Sequence, residues 1–303
     1  MTEITDFQRK ISTLLPDFSL SFNEPLKDHT SFHIGGPAEV MVTPRSVQEL
    51  CRVLEVSAVL DTKPYILGAG TNILMPDEGL KGLTVCLKDG LTALSLLDET
   101  HIAVGAGVTM TKAAVFAANH GLSGMEFAHG IPGTVGGGVY MNAGAYGGEI
   151  QDICHCVDVV DLGGTLRTFT KEEMAFSYRH SRLEEEGGIV VGAVFALTKK
   201  PVEEIKARMQ ELLAKRKASQ PLDKPSAGSA FKRPIGGYAA ALIDGAGLRG
   251  YQVGGAAVSE KHAGFVVNLK DATAADVRKV LQEVSDIVFE KTGIRLEPEV
   301  RIW

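Results

Sequence analysis

Between residues 121 and 148 the chain reads GLSGMEFAHGIPGTVGGGVYMNAGAYGG, and no other stretch constrains the fold as much. It holds ten of the chain's 34 glycines and one formal charge, Glu126. Glycine reaches positive φ and lets another group approach the backbone closely, at an entropic cost on folding. So dense a run outside a repeat predicts backbone wrapped around something. No Lys or Arg lies within it, so a phosphate held there must rest on backbone N–H groups, in a nest of successive amides. The plainer alternative is a glycine-rich Ω-loop joining two elements.

Two shorter glycine turns follow predicted strands. A strand over 64–67 runs into Gly68-Ala69-Gly70-Thr71-Asn72, and one over 101–104 ends in Gly105-Ala106-Gly107. A helix over 109–120 comes next, with Gly121 at its C′ position. Helices are also predicted over 7–15 and 46–60, and strands over 40–42 and 83–87. A hairpin over 156–170 turns at Gly163-Gly164, and a buried strand covers 189–197. The character changes near Pro201. A charged amphipathic helix over 202–217 leads into QPLDKPSAGSAFKRP, a long loop of the kind that often carries function. A helix around 238–243, a strand over 264–269, a helix over 273–291 and a last strand over 296–302 follow. This order predicts an α+β fold divided into 1–200 and 201–303.

A chain of 303 residues can hold two domains and a sizeable core. The net charge of −6 argues against a nucleic-acid partner bound by bulk electrostatics. No apolar run reaches membrane-spanning length, so neither nucleic acid nor membrane is expected as a partner. The first residues, MTEITDFQRK, are polar and unlike a signal peptide. Cys51, Cys86, Cys154 and Cys156 are therefore expected reduced, in a cytoplasmic protein. Cys154-His155-Cys156 lacks a second ligand pair, and His29 and His33 lack the Glu of HExxH; no metal is expected. Gly245-Ala246-Gly247-Leu248-Arg249-Gly250 matches G-x-G-x-x-G, but it follows a helical pattern rather than a strand, which rejects a Rossmann fingerprint. No Walker A lysine occurs. What remains is a cofactor held in an extended slot lined by glycine turns.

Three polar clusters are candidates for chemistry. Glu297, Glu299 and Arg301 alternate along the last strand and share a face, although a solvated terminal strand explains that pattern as well. Ser226 to Arg233 sets hydroxyls beside two cations, either a surface turn or an anion-binding loop with a polarised serine. Tyr178-Arg179-His180-Ser181-Arg182 offers cations in a short loop.

Taken in order, these motifs resemble the MurB family, the UDP-N-acetylenolpyruvoylglucosamine reductases of peptidoglycan precursor synthesis. The resemblance rests on His29 to Gly36, Leu67 to Asn72, Gly130 to Gly137, Asn142 to Gly147, Tyr178-Arg179, Ala227-Gly228-Ser229, Gly254-Gly255, Val258 to His262 and Leu296 to Arg301. It spans essentially the whole chain. Ala69, Thr71, Ala230 and Arg233 depart from the family pattern, Arg233 standing where Asn is common. The chain is similar to the shorter subtype, without an inserted tyrosine-bearing loop.

The resemblance implies an FAD-binding region of vanillyl-alcohol-oxidase (PCMH) type, made of two subdomains and followed by a C-terminal α+β substrate domain. It implies non-covalent FAD, with the pyrophosphate on amides around 68–72 and 133–137, and NADPH as co-substrate. Cofactor contacts are then expected from Gly68, Ala69, Gly70, Thr71, Asn72, Gly130, Ile131, Gly133, Thr134, Gly136, Gly137 and Ala143. Arg179 and Glu299 would stabilise an enolate and Ser229 would protonate it, with Lys232 and Arg233 holding the developing alkoxide. Tyr178, Lys232, Arg233, Lys261 and His262 are the expected contacts of a UDP-sugar substrate, although His262 could equally serve the structure alone. Glu297 shares the face of Glu299, so which of the two points inward is left open. A monomer is expected. A catalytically inactive flavin-binding module, or another flavin oxidoreductase of the same fold, is the alternative.

Overall fold

The computed structural model describes residues 4–303. The chain packs into two compact units, each discontinuous in sequence: one of residues up to 22, 39–69 and 82–215, the other of 23–38, 70–81 and 216–303. A single cut near residue 200 misses the two short N-terminal segments of the second unit. Long-range hydrogen bonds that local pattern does not reveal tie them there.

The first unit holds most of a four-stranded sheet ordered Leu20–Pro25, Pro37–Val42, Leu80–Cys86, Tyr65–Leu67, the last two strands parallel. It also holds a five-stranded sheet ordered Leu166–Thr170, Cys154–Val160, Ile189–Ala196, His101–Gly105, Leu94–Leu96, joined by antiparallel pairs. Ile189–Ala196 is central and mostly buried, which explains its continuous apolar run. Helix Val47–Val59 turns Leu50, Val53 and Leu54 to the core at helical spacing, and Ser46 caps it by accepting the Glu49 N–H at 3.1 Å. Helix Met110–Asn119 starts at its Thr109 cap, and Gly121 follows at φ 68°. Cys154 lies buried in its strand, where burial pushes its thiol up to about 12, and His155 beside it is exposed.

The glycine run forms no simple loop. Residues Val135–Tyr140, VGGGVY, make a short helix that glycine's low helix propensity conceals. A Cβ on Gly136 would meet Ala106 Cβ at 2.9 Å, and one on Gly138 would meet Met110 Sδ at 2.8 Å. These glycines let the helix lie close against its neighbours. Part of the run therefore serves internal packing rather than a ligand.

The second unit has its own core around Ile243, Val258, Val277, Val280, Leu281, Val284 and Val288. Its sheet runs Ser226–Ser229, Phe265–Asn268, Ala256–Val258, Gln252–Val253. Helix Ala274–Thr292 covers it, with a Thr273–Asp276 capping box and Gly293 closing the C-terminus in the αL region. Helix Ala239–Gly245 precedes the glycine triplet at 245–250, which agrees with rejecting a Rossmann fingerprint there. The two outlying segments are laced in by polar contacts. Asp77 accepts the Ala274 and Ala275 N–H groups at 2.7 and 3.2 Å. Buried Asn268 donates to Phe32 O at 3.0 Å, and Ser31 Oγ donates to Ser226 O at 2.6 Å. The expected strand over 296–302 shrinks to Arg301–Ile302, parallel to Ile73–Leu74, plus one bridge at Pro298; Pro298 lacks the N–H that a continued ladder needs.

Candidate active site

In the first unit, Gly68 ends its strand against Thr134. A Cβ on Gly68 would stand 2.8 Å from Thr134 Oγ1, and one on Gly137 would stand 3.7 Å from it. Thr134 is buried, yet its side chain does not cap the helix that it precedes. Gly130 and Gly133 sit at φ 90° and 125°, backbone that side-chain-bearing residues avoid. The Val135 and Gly136 amides donate to Val108 O and Ala106 O at 2.8 and 2.9 Å. These two are committed to the fold, which narrows the amides that could hold a pyrophosphate in this stretch. His129 Nδ1, next to Gly130, is buried without a hydrogen-bond partner in the structure. Close-set glycines, a buried hydroxyl, an unsatisfied ring nitrogen and no cation in the run fit a dinucleotide cofactor held by neutral donors. Ala143 continues the same lining: its N–H donates to Gly138 O at 2.8 Å, and its carbonyl takes the Ile150 N–H at 3.0 Å. Ile131 packs against the core, its N–H on Ala128 O at 3.0 Å.

The chain leaves the first unit within the Gly68-Ala69-Gly70-Thr71-Asn72 turn. Gly70, at φ 61°, accepts the Ser31 N–H at 3.1 Å, and a Cβ there would strike His29 O. Asn72 reaches the C-terminal segment: its Nδ2 donates to Glu299 O at 3.2 Å, and its carbonyl takes the Arg301 N–H at 2.9 Å.

Tyr178 and Arg179 form the tip of a tight turn in the first unit, with Ser177 and His180 exchanging backbone hydrogen bonds of 3.1 and 3.2 Å. Arg179 holds φ 56°, a strained value for a residue with a Cβ. Its guanidinium donates to Gly144 O at 3.1 Å and lies over the Tyr178 ring at 4.9 Å. Here the 142–147 motif meets the arginine turn, a contact between segments that sequence pattern does not disclose.

Ser229, Lys232, Arg233, Glu297 and Glu299 belong to the second unit. Ser226 pairs with Val267 and Ser229 with Phe265, with a bulge between them where Gly228 stands at φ 74°. Such a bulge re-aims the residue beyond it, and Ser229 is exposed. The Glu299 N–H donates to Ala230 O at 2.9 Å and the Lys232 N–H to Glu297 O at 2.8 Å. Ser229 and Glu299 are thereby held on adjacent segments. Lys232 Nζ pairs with Glu297 at 2.5 Å, and the Arg233 guanidinium stacks over Tyr238 at 4.6 Å. The Glu297 side chain is 70% exposed, whereas Glu299 is partly buried.

Lys261 and His262 lie in a turn whose amides both donate to Ser259 Oγ, at 3.2 and 3.3 Å. Lys261 Nζ donates to Lys217 O at 2.7 Å, near the end of helix Val202–Ser219. His262 Nδ1 accepts the Gly264 N–H at 3.1 Å, so the neutral ring carries its proton on Nε2. Burial lowers its basicity below the ordinary imidazole range. This is the geometry of a histidine that secures a turn. The resemblance left Asn142 without a role, although its side chain ties Glu149 and Gln151 to Ser177 at the start of the arginine turn. Its signal was the residue type, since Asn is among the non-glycine residues most enriched at αL positions.

Residues 38–170 match the family model described as FAD binding domain. The fold and its neutral glycine cradle thus define an FAD-binding protein of α+β build. Residues 220–303 match the C-terminal domain of UDP-N-acetylenolpyruvoylglucosamine reductase. Enzymes of that name from Agathobacter rectalis and Caldanaerobacter subterraneus are 46% and 45% identical to the chain, over 98% and 97% of it and 98% and 96% of their own lengths. The crystal structure of the Thermus caldophilus reductase (MurB) superposes with TM-score 0.81 at 38% identity, covering 94% of this chain and 98% of that one. The chain belongs to the UDP-N-acetylenolpyruvoylglucosamine reductase family.

Proposed function

We propose that this chain reduces the enolpyruvyl ether of UDP-N-acetylglucosamine to UDP-N-acetylmuramate, with NADPH as reductant and FAD bound on residues 68–72 and 129–137. FAD, when bound, supplies hydride transfer between NADPH and the substrate. One hydride and one proton add across the vinyl bond, so NADPH, H⁺ and the enol ether become NADP⁺ and the lactyl ether. Hydride addition at the carbon distal to the carboxylate places negative charge on the α-carbon and the carboxylate. Arg179 offers that group a fixed positive charge and forked donors. Glu299 assists through its proton, which requires a carboxyl with raised pKa. Ser229 delivers the proton to the α-carbon.

What supports these roles is the pairing of Glu299 N with Ala230 O at 2.9 Å, which sets the proposed acid one residue from the backbone partner of the glutamate. Glu297, exposed and paired to Lys232, leaves Glu299 as the better candidate for the reacting side. We assign Tyr178, Arg233 and Lys261 to the sugar nucleotide, and residues 201–303 mainly to its binding. His262 supports that surface by holding its turn. We further propose that it acts as a cytoplasmic monomer without nucleic-acid or membrane partners; the net charge of −6 weighs against bulk electrostatic binding of nucleic acid, and no helix among the described residues is long and apolar enough to cross a membrane.

The test separates the half-reactions. With anaerobic Ser229→Ala, NADPH should bleach the flavin at the normal rate. Reoxidation by the enolpyruvyl sugar nucleotide should slow by about 10²–10⁴-fold, the usual worth of a positioned acid. If both half-reactions are normal, Ser229 is not the acid. Bound FAD without any turnover of the wild type would favour the inactive module.

A further inference from the structure

We infer that Asn142 is a positioning residue for Arg179, and that its carboxamide sets the turn from which the arginine reaches the substrate carboxylate. The inference rests on the proposed role of Arg179. Asn142 is fully buried and holds φ 43°. Its Nδ2 donates to Ser177 O at 2.9 Å and to Glu149 Oε2 at 3.2 Å, and its Oδ1 accepts the Gln151 N–H at 2.9 Å. A backbone N–H on one side and a carbonyl on the other fix which way the amide faces. Ser177 opens the two-residue turn whose tip is Tyr178-Arg179. On the far side of the turn, fully buried Ser181 donates to Tyr140 O at 2.7 Å. Residues 140–144 therefore grip the arginine turn at three points: Tyr140 O on Ser181, Asn142 on Ser177, and Gly144 O on the guanidinium itself.

The grip is needed because Arg179 sits at φ 56°. A non-glycine residue in that region is disfavoured and persists only where its surroundings over-determine it. Asn142 is the buried side chain that meets the turn's first carbonyl. Releasing it lets the turn relax toward ordinary φ and swings the guanidinium away. A misplacement of about 1 Å at a positioned group can slow a reaction about a hundredfold.

Asn142→Asp is the sharpest probe, because it keeps size and the acceptor for Gln151 while replacing the donor by a carboxylate. That carboxylate would face Glu149, with Asp152 on the same turn accepting the Glu149 N–H, and Ser177 O. Burial and like charge raise its pKa, and once protonated it again donates to Ser177. We expect NADPH to bleach the flavin of N142D normally. Reoxidation by the enolpyruvyl sugar nucleotide should be about a hundredfold slow at pH ~8 and recover progressively toward pH ~6. Calorimetry should show the carboxylate-bearing lactyl product binding about tenfold more weakly at the higher pH, with the same recovery. Arg179→Gln should be slow at both pH values. Asn142→Gly, whose backbone suits φ 43°, should be slow without pH recovery, and it decides the matter if N142D takes up no FAD. N142G reoxidising at the wild-type rate, or N142D slowed by the same factor at every pH, would overturn the inference while leaving the function intact. R179Q reoxidising normally would sink the Arg179 role, and this inference with it.

Discussion

Gly228→Ala tests how the bulge holds Ser229. Gly228 stands at φ 74°, and a Cβ there would meet nothing within 4 Å. The substitution therefore adds no collision, only conformational strain. Alanine in the αL region costs roughly 1–2 kcal/mol, and the smaller entropy of its unfolded chain returns about 0.4–1 kcal/mol. If the bulge survives, the net loss is about 1 kcal/mol. If the strain is relieved by flattening the bulge, stability holds but the register beyond it slips. A one-residue slip turns a strand residue to the opposite face, so Ser229 would no longer meet the substrate. The only tryptophan, Trp303, lies in the second unit, so its fluorescence follows urea unfolding of that unit. Anaerobic reoxidation of NADPH-reduced enzyme by the sugar nucleotide reads Ser229. G228A should lose stability or reoxidation rate, and Gly228→Asn, whose side chain tolerates αL, should lose less of either. A G228A protein with wild-type stability and wild-type reoxidation would refute the account of the bulge.

Gly68→Ala should weaken FAD binding at least about tenfold, measured by flavin fluorescence on titrating apoprotein, because its Cβ would stand 2.8 Å from Thr134 Oγ1; Thr134→Ala in the same chain should restore part of the affinity. Lys232→Met should change stability by no more than the roughly 0–1 kcal/mol of exposed ion pairs; a raised KM for the sugar nucleotide would show that Lys232 leaves Glu297 to meet substrate. Asp77→Ala should lower the Trp303-monitored stability by about 1 kcal/mol, the usual worth of a carboxylate on helix N-terminal amides, and no change would mean that Thr273 caps the helix unaided. Burial depresses the pKa of His262 in the folded state, so the unfolded chain binds the proton first. The stability held by its neutral ring is complete above the unfolded value, roughly 6.5, and is lost as pH falls through the lower folded value. His262→Asn, which keeps an acceptor for Gly264, should flatten that acid-side decline in urea midpoint, and an unchanged slope would assign the decline to other groups.

Most elements were legible because caps and periodicity agree. Ser46, Thr109 and Thr273 each precede an apolar helical stripe, and each is an N-cap. The glycine run was legible as unusual but not as partly helical, because Val135–Tyr140 takes its helix from contact with Ala106 and Met110 rather than from propensity. Ser226–Ser229 was expected as loop and forms an edge strand, since a bulge at Gly228 breaks the alternation that announces strands. The membership of 23–38 and 70–81 in the second unit rests on Ser31, Asn72 and Asp77 meeting partners far along the chain. The residue types at 178–179, 229 and 297–299 pointed to chemistry. Which glutamate is the more exposed, and that Lys232 pairs with Glu297, follow only from the folded arrangement.

Each unit carries one proposed reacting group beside a positive φ, and the two devices differ. Ser229 follows a glycine at φ 74°, where the backbone reaches αL without strain. Arg179 occupies such a conformation itself and needs an external grip to hold it. The difference follows from what each group must do. A hydroxyl is short, so its direction comes from the backbone just before it, and glycine there costs little. A guanidinium is long and has many rotamers; only anchoring both the turn and the side chain limits them, and Asn142 and Gly144 O do these two tasks separately. Mutating Gly228 should therefore change stability and aim together, whereas mutating Asn142 should change aim, with pH in the Asp variant alone, and leave Gly144 O in place. The strained φ of Arg179 persists because the Asn142 carboxamide on Ser177 and Gly144 O on the guanidinium over-determine its turn.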